Sequence, residues 1–131
     1  MALAYLAATR NARLDAITTS AGALAFLRIY DGARPATAGT ATTLLAELVC
    51  NAVFAPAAAA GVLTLNAIAQ DASANATGTA TWFRIFKADG TTFVCDGSIG
   101  VSGSDLNLTT VSIVITQPVS VTSFVITEGN A

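Results

Sequence analysis

The chain reads as a mainly β protein, an antiparallel sandwich or jelly roll with a short N-terminal helix or arm. Three observations predict this. From Leu24 onward the apolar residues recur with a period of two, the strand period, rather than 3.6. The runs that show it are short and bounded by Gly, Pro and Asn, as in all-β architectures. Residues 80–96 carry a hairpin signature, with β-rich runs on either side of Ala88-Asp89-Gly90. With 131 residues the length allows one domain, read as an arm or helix over 1–22 and a sandwich over 23–131.

Residues 3–20 carry the helical pattern. Leu3, Leu6, Leu14 and Ile17 fall within roughly 80° of one another at helical spacing, and Gly22 follows where a left-handed stop belongs. Arg10 projects from the middle of that stripe, with Arg13 at its edge. Either the helix starts near Asn11 and residues 1–9 form a separate arm, or Arg10 meets a carboxylate on another element or subunit. The arm is the favoured reading, because an Ala/Leu-rich segment without charge suits contact with a neighbour. Leu24–Tyr30 is the first strand, with Phe26, Arg28 and Tyr30 on one face and Ala25, Leu27 and Ile29 on the other, so both faces call for cover. Residues 31–43 then form a small-residue loop. Leu44–Cys50 alternates as a strand with one partly wet side, Val62–Ala69 reads as another, and 70–78 is a second small-residue loop. In the hairpin, Trp82, Phe83, Phe86 and Phe93 are expected core anchors together with Phe26 and Phe124, while Arg84 and Lys87 read as outward ends of their strand. Trp82 could instead stack on a sugar, but a lone Trp among large apolar residues more often lies in the core. Leu106–Thr116 sends Val111, Ile113 and Ile115 one way. Val119–Thr127 supplies the last strand, with Val119, Val121 and Val125 opposite Phe124 and Ile126.

Composition narrows function more than any motif does. Only 6 Lys+Arg and 8 Asp+Glu are present, where an ordinary domain of this length would carry roughly 33 charged residues. A folded 13.2 kDa monomer exposes on the order of 6,400 Å², so each charge serves roughly 450 Å² of a surface that must be mostly Ala, Thr, Ser and backbone. Such a coat repels its own copies weakly and suits a subunit made to pack against neighbours. There is no His, which removes the commonest general base near pH 7 and the commonest metal ligand. No Cys-x-x-Cys pair is present, so zinc and redox motifs are lacking, and no enzymatic role or cofactor is expected. Asp89 and Asp96 sit in Asp-Gly pairs that read as turns, and residues 96–105 lack the repeats of a calcium loop. Six scattered basic residues and a net charge of -2 leave no nucleic-acid footprint. No apolar run reaches the ~20 residues needed for a membrane span, and the N-terminus has no basic residue ahead of its apolar stretch, as a secretion signal would. Assembly in a cytoplasm is the expectation. There Cys50 and Cys95 would stay as small buried thiols, pairing only if their strands are neighbours.

Several local sequences, in this order, carry a resemblance: Arg-Ile-Tyr-Asp-Gly (28–32), Leu-Leu-Ala-Glu-Leu (44–48), Ala-Thr-Trp-Phe-Arg (80–84), Lys-Ala-Asp-Gly-Thr (87–91) and Ser-Phe-Val-Ile-Thr-Glu-Gly (123–129). Together they resemble small virion structural proteins of tailed bacteriophages and prophages, over most of residues 11–130. The resemblance implies a capsid cement or decoration protein on the capsid exterior. Its partner would be the major capsid protein, and it would itself be a homo-oligomer, a dimer or trimer, with neither nucleic acid nor membrane as partner. Contacts are expected from Leu3, Tyr5 and Leu6 in the arm and from the loops 33–43 and 70–78. Arg10, Arg13 and Arg34 are candidate salt bridges to an acidic capsid surface. Three rival readings share the fold class: a tail or baseplate component, a donor-strand pilin, and a glycan-binding module.

Overall fold

A computed structural model of the chain describes residues 3–128. It is mainly β, with one helix and a mixed five-stranded sheet. Helix α1 (Ala7–Ala21) precedes strands β1 (Phe26–Tyr30), β2 (Leu44–Val49), β3 (Val62–Thr64), β4 (Gly78–Thr79), β5 (Trp82–Phe86), β6 (Phe93–Gly100), β7 (Leu106–Asn107), β8 (Ser112–Ile113) and β9 (Val125–Thr127). The large sheet has the order β2-β1-β5-β6-β7, and two short ladders pair β3 with β9 and β4 with β8.

Within the large sheet β2-β1-β5-β6 is antiparallel, and the β5–β6 hairpin closes through Lys87 N–H on Thr92 O and Gly90 N–H on Lys87 O. The last pair departs from the antiparallel expectation. β6 and β7 run parallel over Ile99–Leu106 and Gly100–Asn107, after a loop that turns at Gly103 and is tied by Ser104 N–H on the Asn107 side chain. Asp96-Gly97 is likewise no turn but lies inside β6. Gly97 is there because the Phe83 ring lies where a Cβ would stand.

Period-two alternation sorts the sheet into two faces. On one, Leu27, Ile29, Leu48, Phe83 and Ile85 join Leu14 of the helix, Leu63 of β3, Ile113 of β8 and Phe124 in a single buried cluster. This is the core, and the helix and the two small ladders cover it. Phe83 and Phe124 are buried in this core and Trp82 is buried outside it, on the opposite face beside Tyr30, whereas Phe26, Phe86 and Phe93 are half-buried and also outside the core cluster. Those three aromatics belong to the opposite face, which the sequence reading did not separate from the core.

Several elements differ from the sequence expectation. The helix begins at Ala7, so the separate arm is confined to the residues before it and residues 1 and 2 lie outside the described residues. Its stripe works only in the second half: Leu14 and Ala21 are buried and Ile17 packs on the core, while Leu3 and Leu6 are 68% and 79% exposed. Arg10 is half-buried one turn before Leu14, and its Nη1 donates to Glu128 O. The strand expected over 62–69 ends at Thr64, because Asn66 turns away to bond Phe54 O and Val53 O. The stretch 106–116 breaks into β7 and β8, leaving Ile113 buried and Ile115 50% exposed. The last strand is only Val125–Thr127; ahead of it Val119 and Val121 are buried on the same core as Phe124, and Val125 faces out at 41%. Cys50 and Cys95 are both free thiols, Cys50 just past the end of β2 and Cys95 in β6, with β1 and β5 between those strands.

Candidate functional site

The second face of the large sheet carries an unusual side-chain set: Phe26, Arg28 and Tyr30 of β1 beside Phe86, Arg84 and Trp82 of β5, register for register. Arg84 is buried at 5% exposure, not an outward strand end. Its Nε and Nη2 donate to both carboxylate oxygens of Asp96, directly across on β6, at 2.6 and 2.9 Å, and its Nη1 donates to Gly39 O at 2.9 Å. The guanidinium carbon lies 5.2 Å from the Trp82 ring and 5.3 Å from Phe93. Arg28 repeats the arrangement one strand over. Its Nε donates to Glu47 at 2.7 Å, its Nη1 donates to Gly90 O at 3.1 Å, and Phe86 lies 4.7 Å away.

Cover for this face comes from the loop 31–43. The Trp82 indole N–H donates to Asp31 O and to Thr42 Oγ1, both at 3.0 Å, and its ring stacks on Tyr30 with centroids 4.4 Å apart. The loop that the sequence suggested as a contact surface thus serves at least in part as a lid on the chain's own sheet. Trp82 is buried beneath it, so a sugar-stacking role has no exposed ring to use. Arg34 lies exposed on that loop and lines, with Pro35, Ala36 and Thr37, a hollow against Phe93–Asp96.

Arg10 and Arg13 of α1 both turn to Glu128, just past β9. Arg10 Nη1 donates to the Glu128 carbonyl at 3.2 Å while its Nε is buried without a partner among the described residues. Arg13 pairs with the Glu128 carboxylate at 2.5 Å and lies 5.0 Å from the Tyr5 ring. Asn11 and Asp15 of the same helix accept from Gly61 N–H and Ala58 N–H, which fastens α1 over the loop before β3.

A pattern runs through these bonds. Asp31 accepts from Thr43 N–H, Asp71 from Glu47 N–H, Asp89 from Thr91 and Thr92 N–H, and Asp105 from Ser98 N–H. All the charged side chains among the described residues except Arg34 and Lys87 are engaged within the chain. Hydrogen bonds from the Thr92 side chain and main chain and from Thr91 hold the Asp89 carboxyl down to about 2. Burial pushes the Cys50 thiol up to about 12 and the Cys95 thiol up to about 11, which suppresses both thiolates. No group of three or more Cys, Asp or Glu among the described residues is placed to hold a metal ion, and no helix there is long and apolar enough to cross a membrane.

Sequence reasoning placed Arg10, Arg13 and Arg34 as partner contacts. The structure brings the first two together on Glu128 and leaves only Arg34 uncommitted. It missed the Arg84–Asp96 pair, for which the cue was an Arg flanked by Trp82, Phe83, Ile85 and Phe86 in a strand. Searches for a matching protein family, curated protein or solved structure each find none for this chain.

Proposed function

We propose that this chain is a non-enzymatic structural subunit of a tailed-bacteriophage virion, a β-sandwich cement or decoration protein that binds the lattice of the major capsid protein on the capsid exterior. The observation that carries the reading is the commitment of charge. Nearly every ion among the described residues is bonded within the chain, and only a few, Arg13, Arg34, Lys87, Asp89 and Asp105, stand exposed on an exterior otherwise made of Ala, Thr, Ser and apolar side chains such as Leu3, Leu6, Val114 and Ile115. A neighbour can approach such a surface without stripping water from ions, whose burial is expensive unless they are paired. On a capsid each copy meets one of many equivalent sites, so modest contacts per copy reinforce the whole shell through multivalency.

The test is direct. Purified protein added to expanded, mature capsids should co-sediment with them and raise their resistance to heat. Recovery of the native protein with purified tails and not with heads would replace the cement role with a tail or baseplate role.

A further inference from the structure

The loop that covers the second sheet face is firm at its stem and loosely held at its tip. At the stem, Asp31 N–H donates to Thr43 O and Thr43 N–H to the Asp31 carboxylate. The Thr81 hydroxyl donates to Gly32 O, and the Trp82 indole N–H ties Asp31 and Thr42 to β5. The tip, residues 33–41, lacks such ties. Inside it Gly39 N–H donates to Ala36 O at 2.7 Å. Among the described residues its only hydrogen bond to the rest of the chain runs from Arg84 Nη1 to Gly39 O, at 2.9 Å.

Packing adds little to that latch. None of residues 31–43 is buried, so the loop puts no side chain into the interior, the condition under which a segment opens apart from the rest. Residues 34–37 and Phe93–Asp96 of β6 line a hollow of about 430 Å³. Ala38, next to the latch, holds φ +60°, a left-handed conformation that its Cβ disfavours. Beneath the tip lies a pair that gains from water. Arg84 and Asp96 lose hydration by being buried, and the two bonds between them do not involve the loop. Lifting the tip exchanges one hydrogen bond for water on both partners, rehydrates the pair and frees the tip backbone, so its net cost is small.

We infer that residues 33–41 are a lid that opens about the Asp31–Thr43 stem while the sheet stays folded, and that the Arg84–Gly39 bond is its latch. Opening uncovers Arg84, Asp96 and Phe93. Across the register from them stand Phe26, Arg28 and Phe86, which are half-buried with the lid closed. The open form therefore presents one continuous strip of aromatic rings and guanidinium groups from β1 to β6, and the closed form interrupts it. Trp82 stays under the stem in both. The lid does not depend on the capsid assignment.

The experiment is native-state hydrogen exchange of the full chain, followed by NMR across urea concentrations below the unfolding transition. The Arg84 Nε–H should exchange through an opening that urea barely affects, because little surface is exposed. The Trp82 indole N–H and the main-chain N–H groups of Leu27 and Ile85 should exchange only by global unfolding, with its full urea dependence. Ala38→Gly removes the left-handed strain from the closed form and should slow the Arg84 proton several-fold without moving the core protons. Arg84→Lys keeps a cation on Asp96 and deletes the latch. It should speed elastase cleavage within residues 33–41 by about tenfold, read by mass spectrometry, and leave cleavage in 70–78 unchanged. If Arg84→Lys fails to fold, the exchange data and Ala38→Gly decide alone. An Arg84 proton that exchanges only with the core, one that shows no protection at all, or an Ala38→Gly protein with unchanged exchange would each overturn the proposal.

Discussion

Arg84 and Asp96, with side chains 6% and 7% exposed, are the residues on which the second sheet face depends. Removing two ions from water costs several kcal/mol per ion, and only excellent geometry offsets it. Here two parallel hydrogen bonds, the Gly39 carbonyl and the flanking aromatic rings supply that geometry. Arg84→Ala should therefore destabilise by about 3–5 kcal/mol, since it strands a buried carboxylate, whereas the double variant Arg84→Met/Asp96→Leu should recover most of the loss. Urea denaturation of the three proteins checks both outcomes. Alternation in the sequence does put Arg84 on one face with Trp82 and Phe86. What it does not contain is the lid: Gly39 and Thr42 lie 45 and 40 residues away from the side chains they bond, and no local pattern encodes that meeting. The same gap explains why Phe26, Phe86 and Phe93 read as core anchors. A strand covered on both faces has two apolar sides, and only tertiary contacts say which one is the core. The thiols give a pH prediction at this scale. Burial raises Cys50 from 9.0 to about 12 and Cys95 from 9.0 to about 11, so the folded state holds these protons more tightly than the unfolded chain. Their contribution is complete below pH 9 and is lost as pH rises through 11 to 12. The urea midpoint should fall over that window, and Cys50→Ala should flatten the fall. Labelling by a thiol reagent at pH 8 should be slow until the protein is denatured.

Helix α1 shows what an element needs beyond its own sequence. Its N-cap is Leu6, with no side-chain cap, and its first turn holds no acidic residue, so the helix start is intrinsically weak. It begins at Ala7 nonetheless, because Arg10 and Arg13 are held by Glu128, and Asn11 and Asp15 take the N–H groups of Gly61 and Ala58. From sequence, Arg10 in the leucine stripe argued for a later start. The stripe misled because Leu3 and Leu6 contribute nothing to the core. Replacing Leu6 by Asp should raise stability by about 1 kcal/mol, readable as a higher denaturation midpoint, since the cap satisfies one of the orphan N–H groups. Gly61 is the counterpart on the facing loop. It adopts φ +74°, and a Cβ there would meet the Arg10 guanidinium and the Glu128 carbonyl oxygen. Gly61→Ala should cost more than the ~1 kcal/mol of an ordinary glycine replacement, and the same denaturation series would show it. The turn of the hairpin β5–β6 was legible, because Asp89-Gly90 and the flanking aromatics specify it locally, but its second strand runs on through Asp96-Gly97, expected as a turn, to Gly100. The strands around 62–69 and 119–127 were not. Their apolar residues are there to fill the core from short, bent segments, and burial without a sustained ladder leaves the same alternation in the sequence.

Taken as a molecule, the chain has few charges because it puts almost all of them to internal use, and this decides how it should respond to salt. Ionic strength acts on exposed charges: the Debye length shrinks from about 10 Å at 0.1 M to about 3 Å at 1 M, whereas buried pairs are screened far less. Arg84–Asp96 is buried, Arg28–Glu47 is half-buried, Arg13–Glu128 is the more exposed pair, and among the described residues only Arg34 and Lys87 stand uncommitted. Folding stability should accordingly change little between 0.05 and 1 M sodium chloride. The same reasoning extends to assembly. A docking surface built on arginines reaching for acidic partners loses affinity steeply over this range, because each ion pair across the interface is screened as it forms. A surface built on neutral side chains has no such term, and salts that are excluded from apolar surface strengthen it slightly. Sedimentation of the protein alone, and with capsids, across the salt series separates the two cases. Association that holds or tightens at 1 M salt fits an interface of neutral side chains. Association that dissolves would assign the contacts to Arg34 and Lys87, the two cations without a partner among the described residues.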